Sequence, residues 1–276
     1  TNDELRQQFV DMIAEQVKLL GMTLPDPNLK WNAARNHYDF GEINWEEFWN
    51  VVKGNGPCNR KRMEARRKAH EEGAWVETFS IGYFGIWGNG GYVDASDNVI
   101  IFGAGPVGLS AAMVAKTSGA KVIVVDPLEN RRETALNYGA DVVVDPTACD
   151  LREEIMRLTD GEGGSVVVEA SGNDNAIASI FEVAGHSARV RLIGHSIGRK
   201  VPVEIGRTIW RTLSITGSGG TKNFGQRTIK FMSRIRDKYD FTALNTHYYP
   251  FEKIHEAFDT AMKHKATALK VMLKFD

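Results

Sequence analysis

Apolar positions along this 276-residue chain change rhythm twice. Over residues 1–79 they recur at helical spacing. Leu5, Phe9, Met12, Ile13, Val17 and Leu20 mark one face, and Gly21 ends the run. Asn44 with Glu47 three residues on is a capping-box pattern, and Pro57 and Gly73 bracket a further helix. Residues 80–96, SIGYFGIWGNGGYVDAS, mix glycine and aromatics without a helical period and read as an irregular linker. From residue 97 the text turns to short β-branched runs that are apolar on both faces: NVIIFG, KVIVVD, DVVVD, SVVVEA, RVRLIG and LSITGS. Helical text follows each of the first four. That alternation predicts an α/β fold, a doubly wound parallel sheet preceded by a small helical segment. The expected organisation is a helical segment over 1–79, the linker over 80–96, a nucleotide-binding domain over 97–220 and a C-terminal tail over 221–276.

Charge and composition narrow the partners. The formal net charge is -1, so no nucleic-acid partner is expected. The densest basic run, NRKRMEARRKAH at 59–70, reads as a solvated helix face with i,i+4 pairs. No apolar run has the ~20 residues of a membrane span, so no membrane partner is expected either. The opening TNDELRQQFV lacks the apolar core of a secretory signal. The two cysteines, Cys58 and Cys149, form no disulfide framework and no four-cysteine zinc site, which points to a reducing, cytoplasmic setting.

The first strand of the third zone runs into GAGPVG. Gly103, Gly105 and Gly108 therefore sit between a strand and a helix, the context that gives a GxGxxG motif its meaning. Gly103 permits the tight turn, Gly105 lets the backbone approach a pyrophosphate, and Gly108 lets helix and strand pack closely. Pro106 and Val107 open the helix whose N-terminus faces the phosphates. Asp126 closes the next strand. Its carboxylate suits two ribose hydroxyls and repels a 2′-phosphate, so the expected cofactor is NAD, bound on a Rossmann sheet.

Residues 97–275 resemble the cofactor domain and C-terminal tail of zinc-type medium-chain alcohol and polyol dehydrogenases, the sorbitol and threonine dehydrogenase relatives. The matching text is DNVIIFGAGPVGLSAAMVAKTSGAKVIVVD, RRETALNYGADVVVDP, VVVEASGN, RLIGHS and HYYPFEKIHEAFDTAMKHKATALKVMLKF. The resemblance places Arg131 beside the adenosine ribose, Gly194 near the nicotinamide riboside and Lys270 at the pyrophosphate. For Lys270 a solvent-facing lysine is an equal reading. Ser165 stands where these enzymes often carry Asp, and no function attaches to it.

In that family a zinc ion held by a Cys, a His and often a Glu or second Cys activates the alcohol, from a barrel-like domain before the cofactor domain. Nothing before residue 97 resembles that domain, and the helix that leads into its first strand is expected to be missing too. No catalytic residue and no metal ligand are therefore assigned. Glu252 and His255 form one Glu-x-x-His, too few for a di-iron centre, and read as exposed helix residues. His195 lies near the nicotinamide end by resemblance and reads as a loop histidine. The tail strands are expected to lack their sheet partners, leaving apolar surface to be altered, mobile or covered by a protein partner or a homo-oligomer.

Residues 1–76 resemble a different family, the C-terminal part of the oxygenase α subunit of phenylacetyl-CoA epoxidase, most densely in YDFGEINWEEFWNVVKGNGPCNR. The iron ligands of that family lie upstream of the matching part. Trp45 and Trp49, at i,i+4, read as core packing. Three functions stay open. The chain is an NAD(H)-binding oxidoreductase without its zinc domain and inactive by itself, an interaction module related to phenylacetate degradation, or a chimera of two truncated proteins.

Overall fold

The computed structural model describes residues 31–32, 37–38, 67–194, 198–219 and 224–275. The chain forms two compact units, residues 1–69 and 70–276. In the first, β1 (Trp31–Asn32) pairs antiparallel with β2 (His37–Tyr38). The helices expected around Leu5–Leu20 and Asn44, with Cys58 and His195, lie outside the described residues.

The second unit is built on six parallel strands: β3 (Asn98–Phe102), β4 (Lys121–Val125), β5 (Val142–Val144), β6 (Gly164–Glu169), β7 (Ala184–Leu192) and β8 (Ser214–Gly217). All six strand runs of the sequence are present. Their order, β5-β4-β3-β6-β7-β8, is the doubly wound Rossmann order. Alternate residues feed two cores. Val99, Ile101, Val122, Val124, Val166 and Val168 face one. Ile100, Phe102, Ile123, Val125, Val167 and Val190 face the other. Both faces are dry, which is why these strands read as unbroken apolar runs.

Helices α1 (Val76–Trp87) and α2 (Pro106–Thr117) cover the first face. Helices α4 (Leu151–Leu158) and α5 (Asp174–Val183) cover the second, and α3 (Glu129–Asn137) follows β4. The helix α1 corrects two expectations. The segment from Ser80 to Trp87 is helical, and a helix does lead into the first strand. It escaped the periodicity because it is enclosed on more than one side. Gly82 lies against α2, where a Cβ would stand 2.6 Å from Ser110 Cβ and 2.7 Å from Ala111 N. Phe79 and Tyr83 meet Phe231 at ring distances of 6.0 and 5.2 Å. A helix buried against two neighbours shows no polar stripe. At its C-terminal end the buried Arg191 brings a cation beneath Gly91, where helix carbonyls collect.

The tail supplies a second correction. After α6 (Gly206–Trp210), α7 (Gly225–Ile235) sends Met232 and Ile235 into the first core, joined by Tyr239, Phe241 and Leu244. Then β9 (Asn245–Pro250) and β10 (Lys270–Lys274), linked through α8 (Ile254–Lys263), pair in parallel with each other. The tail strands thus carry their own ladder instead of lacking partners. Trp75, fully buried, donates its indole N–H to Asn245 Oδ1 at 2.8 Å and ties α1 to that sheet. Glu252 and His255 are exposed, as expected. Ser165 gains a structural role: its hydroxyl donates to Asp97 Oδ1 at 2.6 Å and accepts from Asn98 N.

Candidate dinucleotide site

Strands β3 and β6 leave the sheet centre with their helices on opposite faces, so their C-terminal ends flank the switch point where a crevice opens. Gly103 sits in that turn at φ +98°, and its N–H donates to Val125 O at 2.8 Å. A Cβ there would touch Ser171, with Cα at 3.0 Å. A Cβ on Gly108 would overlap Gly103 O and stand 2.9 Å from its carbonyl carbon. So two of the three glycines are demanded by packing.

The third is different. Gly105 is the N-cap of α2 at φ -75°, and a Cβ there would have no atom within 4 Å. Among the described residues nothing requires glycine at that point. No side chain caps α2. Pro106 has no N–H, and the first backbone bond of the helix is Leu109 N to Gly105 O at 2.9 Å. The N–H groups of Val107 and Gly108 therefore stand at the mouth of an uncapped helix beside open space. That cradle fits a pyrophosphate.

Asp126, 8% exposed, folds back onto the same turn. Its Oδ2 accepts from Ala104 N at 2.7 Å and its Oδ1 from Leu128 N at 2.9 Å. The carboxylate is thereby fixed beside the glycine loop, with lone pairs left for further donors. Arg132, not singled out in the sequence, donates to Asp126 O and pairs with Asp145 at 3.0 Å.

Two other candidate residues are bonded to the tail and to α1. Arg131 is 8% exposed and donates through Nη2 to Lys265 O at 2.8 Å and Ala268 O at 2.6 Å. It binds the tail turn, and its Nη1 is sealed without a partner. Burial pushes its guanidinium below the ordinary arginine range, opposed by the Asp126 carboxylate. Lys270 donates to Thr78 Oγ1 at 2.9 Å and lies 5.4 Å from the Trp75 ring. It is neither solvent-facing nor bonded to the glycine loop. Burial lowers its pKa, and Glu77 partly restores it. A cleft of about 510 Å³ opens between α3 and the tail, lined by Arg131, Tyr138 and Leu244 among others. It includes none of the three glycines nor Asp126.

Across the switch point lies a residue that sequence reasoning missed. Glu169 ends β6 and is fully buried. Its Oε1 accepts three bonds, from Ser171 N at 2.7 Å, Ser171 Oγ at 2.7 Å and Gly172 N at 2.8 Å. Its backbone carbonyl accepts from Ile193 N and Gly194 N at 2.9 and 3.1 Å. A Cβ on Gly194 would stand 2.6 Å from Gly172 N and 2.9 Å from Glu169 Oε2, so glycine is required there. The signal was a lone carboxylate closing an apolar strand, which must be buried and therefore bonded.

Among the described residues no group of three or more His, Cys, Asp and Glu is placed to hold a metal ion. Those residues do not fit a catalytic zinc. Nor is any described helix long and apolar enough to cross a membrane.

Comparison with known proteins follows the same division. Residues 106–235 match the zinc-binding dehydrogenase family, and residues 1–75 match the phenylacetic acid catabolic protein family. The chain is 37% identical over 182 residues to an L-threonine 3-dehydrogenase of Pyrococcus horikoshii, covering 64% of this chain and 51% of that protein. It is 53% identical over 83 residues to a 1,2-phenylacetyl-CoA epoxidase subunit of Escherichia coli, covering 30% of this chain and 27% of that protein. An alcohol dehydrogenase of Escherichia coli CFT073, solved with NADH, superposes with a TM-score of 0.65 at 26% identity, over 72% of this chain and 58% of that one. The chain thus spans about half the length of these dehydrogenases and about a quarter of the epoxidase subunit.

Proposed function

We propose that this chain binds NAD(H) as the cofactor half of a medium-chain alcohol or polyol dehydrogenase. The observation that carries the reading is Gly105: a glycine at an uncapped helix N-terminus whose missing Cβ leaves space that none of the described residues fills. Val107 and Gly108 N–H would hold the pyrophosphate, and Asp126 would accept from the adenosine ribose hydroxyls. The relative solved with NADH supports the cofactor. NAD(H), when bound, supplies a hydride acceptor or donor. This chain's part is to bind and orient it, and we assign no residue to alcohol activation. Substrate activation then falls to a partner, and the chain is inactive by itself.

Isothermal titration with NADH tests the reading. Saturable binding is expected, with NADPH weaker because Asp126 repels the 2′-phosphate. No heat at millimolar NADH refutes it. Turnover of a polyol and alcohol panel by the purified monomer, with or without zinc, refutes the need for a partner.

A second reading rests on the 53% identity of the N-terminal part to an epoxidase subunit. It makes residues 1–76 a docking module for a protein partner, and pull-down with other epoxidase components tests it. Exposed Ile205, Ile209 and Trp210, beside the open edge strand β8, fit burial by a partner or in a homo-oligomer. Matches to two different families on either side of residues 76–105 also fit a chimera. Amplifying the source DNA across residues 76–97 decides that point. The exposed free thiol of Cys149 fits a cytoplasmic setting.

A further inference from the structure

A dinucleotide laid across a switch point has two halves on two sides of it. Here Asp126, on the β4 side, takes the adenosine half, and α2 takes the pyrophosphate. The other half must lie over the C-terminal ends of β6 and β7, where Glu169 pairs with Leu192. Glu169 touches both loops that leave those ends. Its Oε1 gathers the N–H of Ser171 and Gly172, and its carbonyl gathers those of Ile193 and Gly194. The same seam is clamped from outside by Arg199, which donates to Gly172 O at 3.1 Å and to Asp174 at 2.6 Å. Ser171 also backs Gly103, so the seam reaches the glycine turn. Glu169 Oε2 is sealed and has no partner. A chain that needed only a buried spacer here would not bury a half-satisfied carboxylate.

We infer that Glu169 is the positioning residue for the nicotinamide riboside half of the cofactor: through Oε1 it fixes the Ser171–Gly172 backbone, against which the Gly194 backbone packs. The inference rests on the NAD(H) reading. Glu169 touches no ligand itself, because Oε2 is sealed. Its effect falls on one half of the cofactor and not on the other.

The test compares NADH with AMP, which carries the adenosine half only. Glu169→Ala releases the Ser171–Gly172 loop. It should weaken NADH about tenfold or more while AMP stays within about twofold. Glu169→Gln keeps an Oε1 acceptor of the same shape and should hold NADH within about threefold of the wild type. The emission of bound NADH reads the enclosure of the nicotinamide ring directly: it should move towards that of free NADH in Glu169→Ala and stay with the wild type in Glu169→Gln. If Glu169→Ala does not fold, Ser171→Ala, which deletes one of the three donors, should weaken NADH in the same selective way. Equal losses on NADH and AMP, or unchanged NADH binding in both alanine variants, overturn the inference. Failure of the wild-type protein to bind either ligand overturns the NAD(H) reading itself, and the inference with it.

Discussion

Substituting Gly105 and Gly108 by alanine separates folding from binding. The two glycines are three residues apart in one motif, yet their surroundings are opposite. At Gly105, φ is -75°, which alanine adopts freely, and an added Cβ meets no atom within 4 Å. Gly105→Ala should therefore change stability by less than about 1 kcal/mol, the freedom removed from the unfolded chain being offset by alanine's poorer fit at a helix N-cap. The same methyl enters the space before the Val107 and Gly108 N–H groups. Pushing the pyrophosphate off those donors should weaken NADH at least about tenfold, which is ~1.4 kcal/mol. At Gly108 a Cβ overlaps Gly103 O, a backbone atom of a turn held by the Gly103 N–H bond to Val125 O. Overpacking of this kind costs about 1–3 kcal/mol, a fall in Tm of roughly 3–10 °C for a unit of this size. Thermal melts and NADH titrations on both variants make the check. Full NADH affinity in Gly105→Ala would refute the cradle, and a wild-type Tm in Gly108→Ala would refute the packing argument.

Three further outcomes follow from the same geometry. Asp126→Ala leaves the N–H groups of Ala104 and Leu128 without their acceptor. It should lower stability by about 2–4 kcal/mol in denaturant melts and weaken NADH more than tenfold by calorimetry, roughly 1.4 kcal/mol or more. Arg131→Leu strips the donors from Lys265 O and Ala268 O. It should cost about 1–3 kcal/mol and raise hydrogen exchange in the 264–270 backbone, read by mass spectrometry. Lys270, held below the ordinary lysine range by burial, gives a pH signature. Between its folded pKa and the ordinary lysine value the unfolded chain binds more protons, so stability rises as pH climbs through that window. The difference in unfolding free energy between the wild type and Lys270→Met, followed by denaturant melts up to pH 10, should show that rise. A flat difference would contradict it.

The legible parts of this protein were those written in contiguous residues. Six strands stood out because a sheet covered on both faces needs β-branched residues at every position. The glycine turn stood out because its three roles are local in sequence. Helix α1 did not, since its packing on α2 and α7 erases the polar stripe that marks a surface helix. Arg131 and Lys270 were found as cations with a place by resemblance. Their hydrogen-bond partners, Lys265, Ala268 and Thr78, are more than a hundred residues away, and no local spacing encodes such pairs. The pairing of β9 with β10 was hidden for the same reason: parallel neighbours need a crossover, and the crossover here is α8.

The residues by themselves determined the six strands, the sheet class and the GxGxxG turn with its acidic partner. Those features rest on interactions along the chain or on a repeating pattern of burial. Tertiary structure decided which glycine guards open space, where Arg131 and Lys270 direct their charge, and that Glu169 joins two loops at the sheet centre. Such facts depend on which distant backbones meet, and a buried polar group finds its partner only after the chain has folded around it.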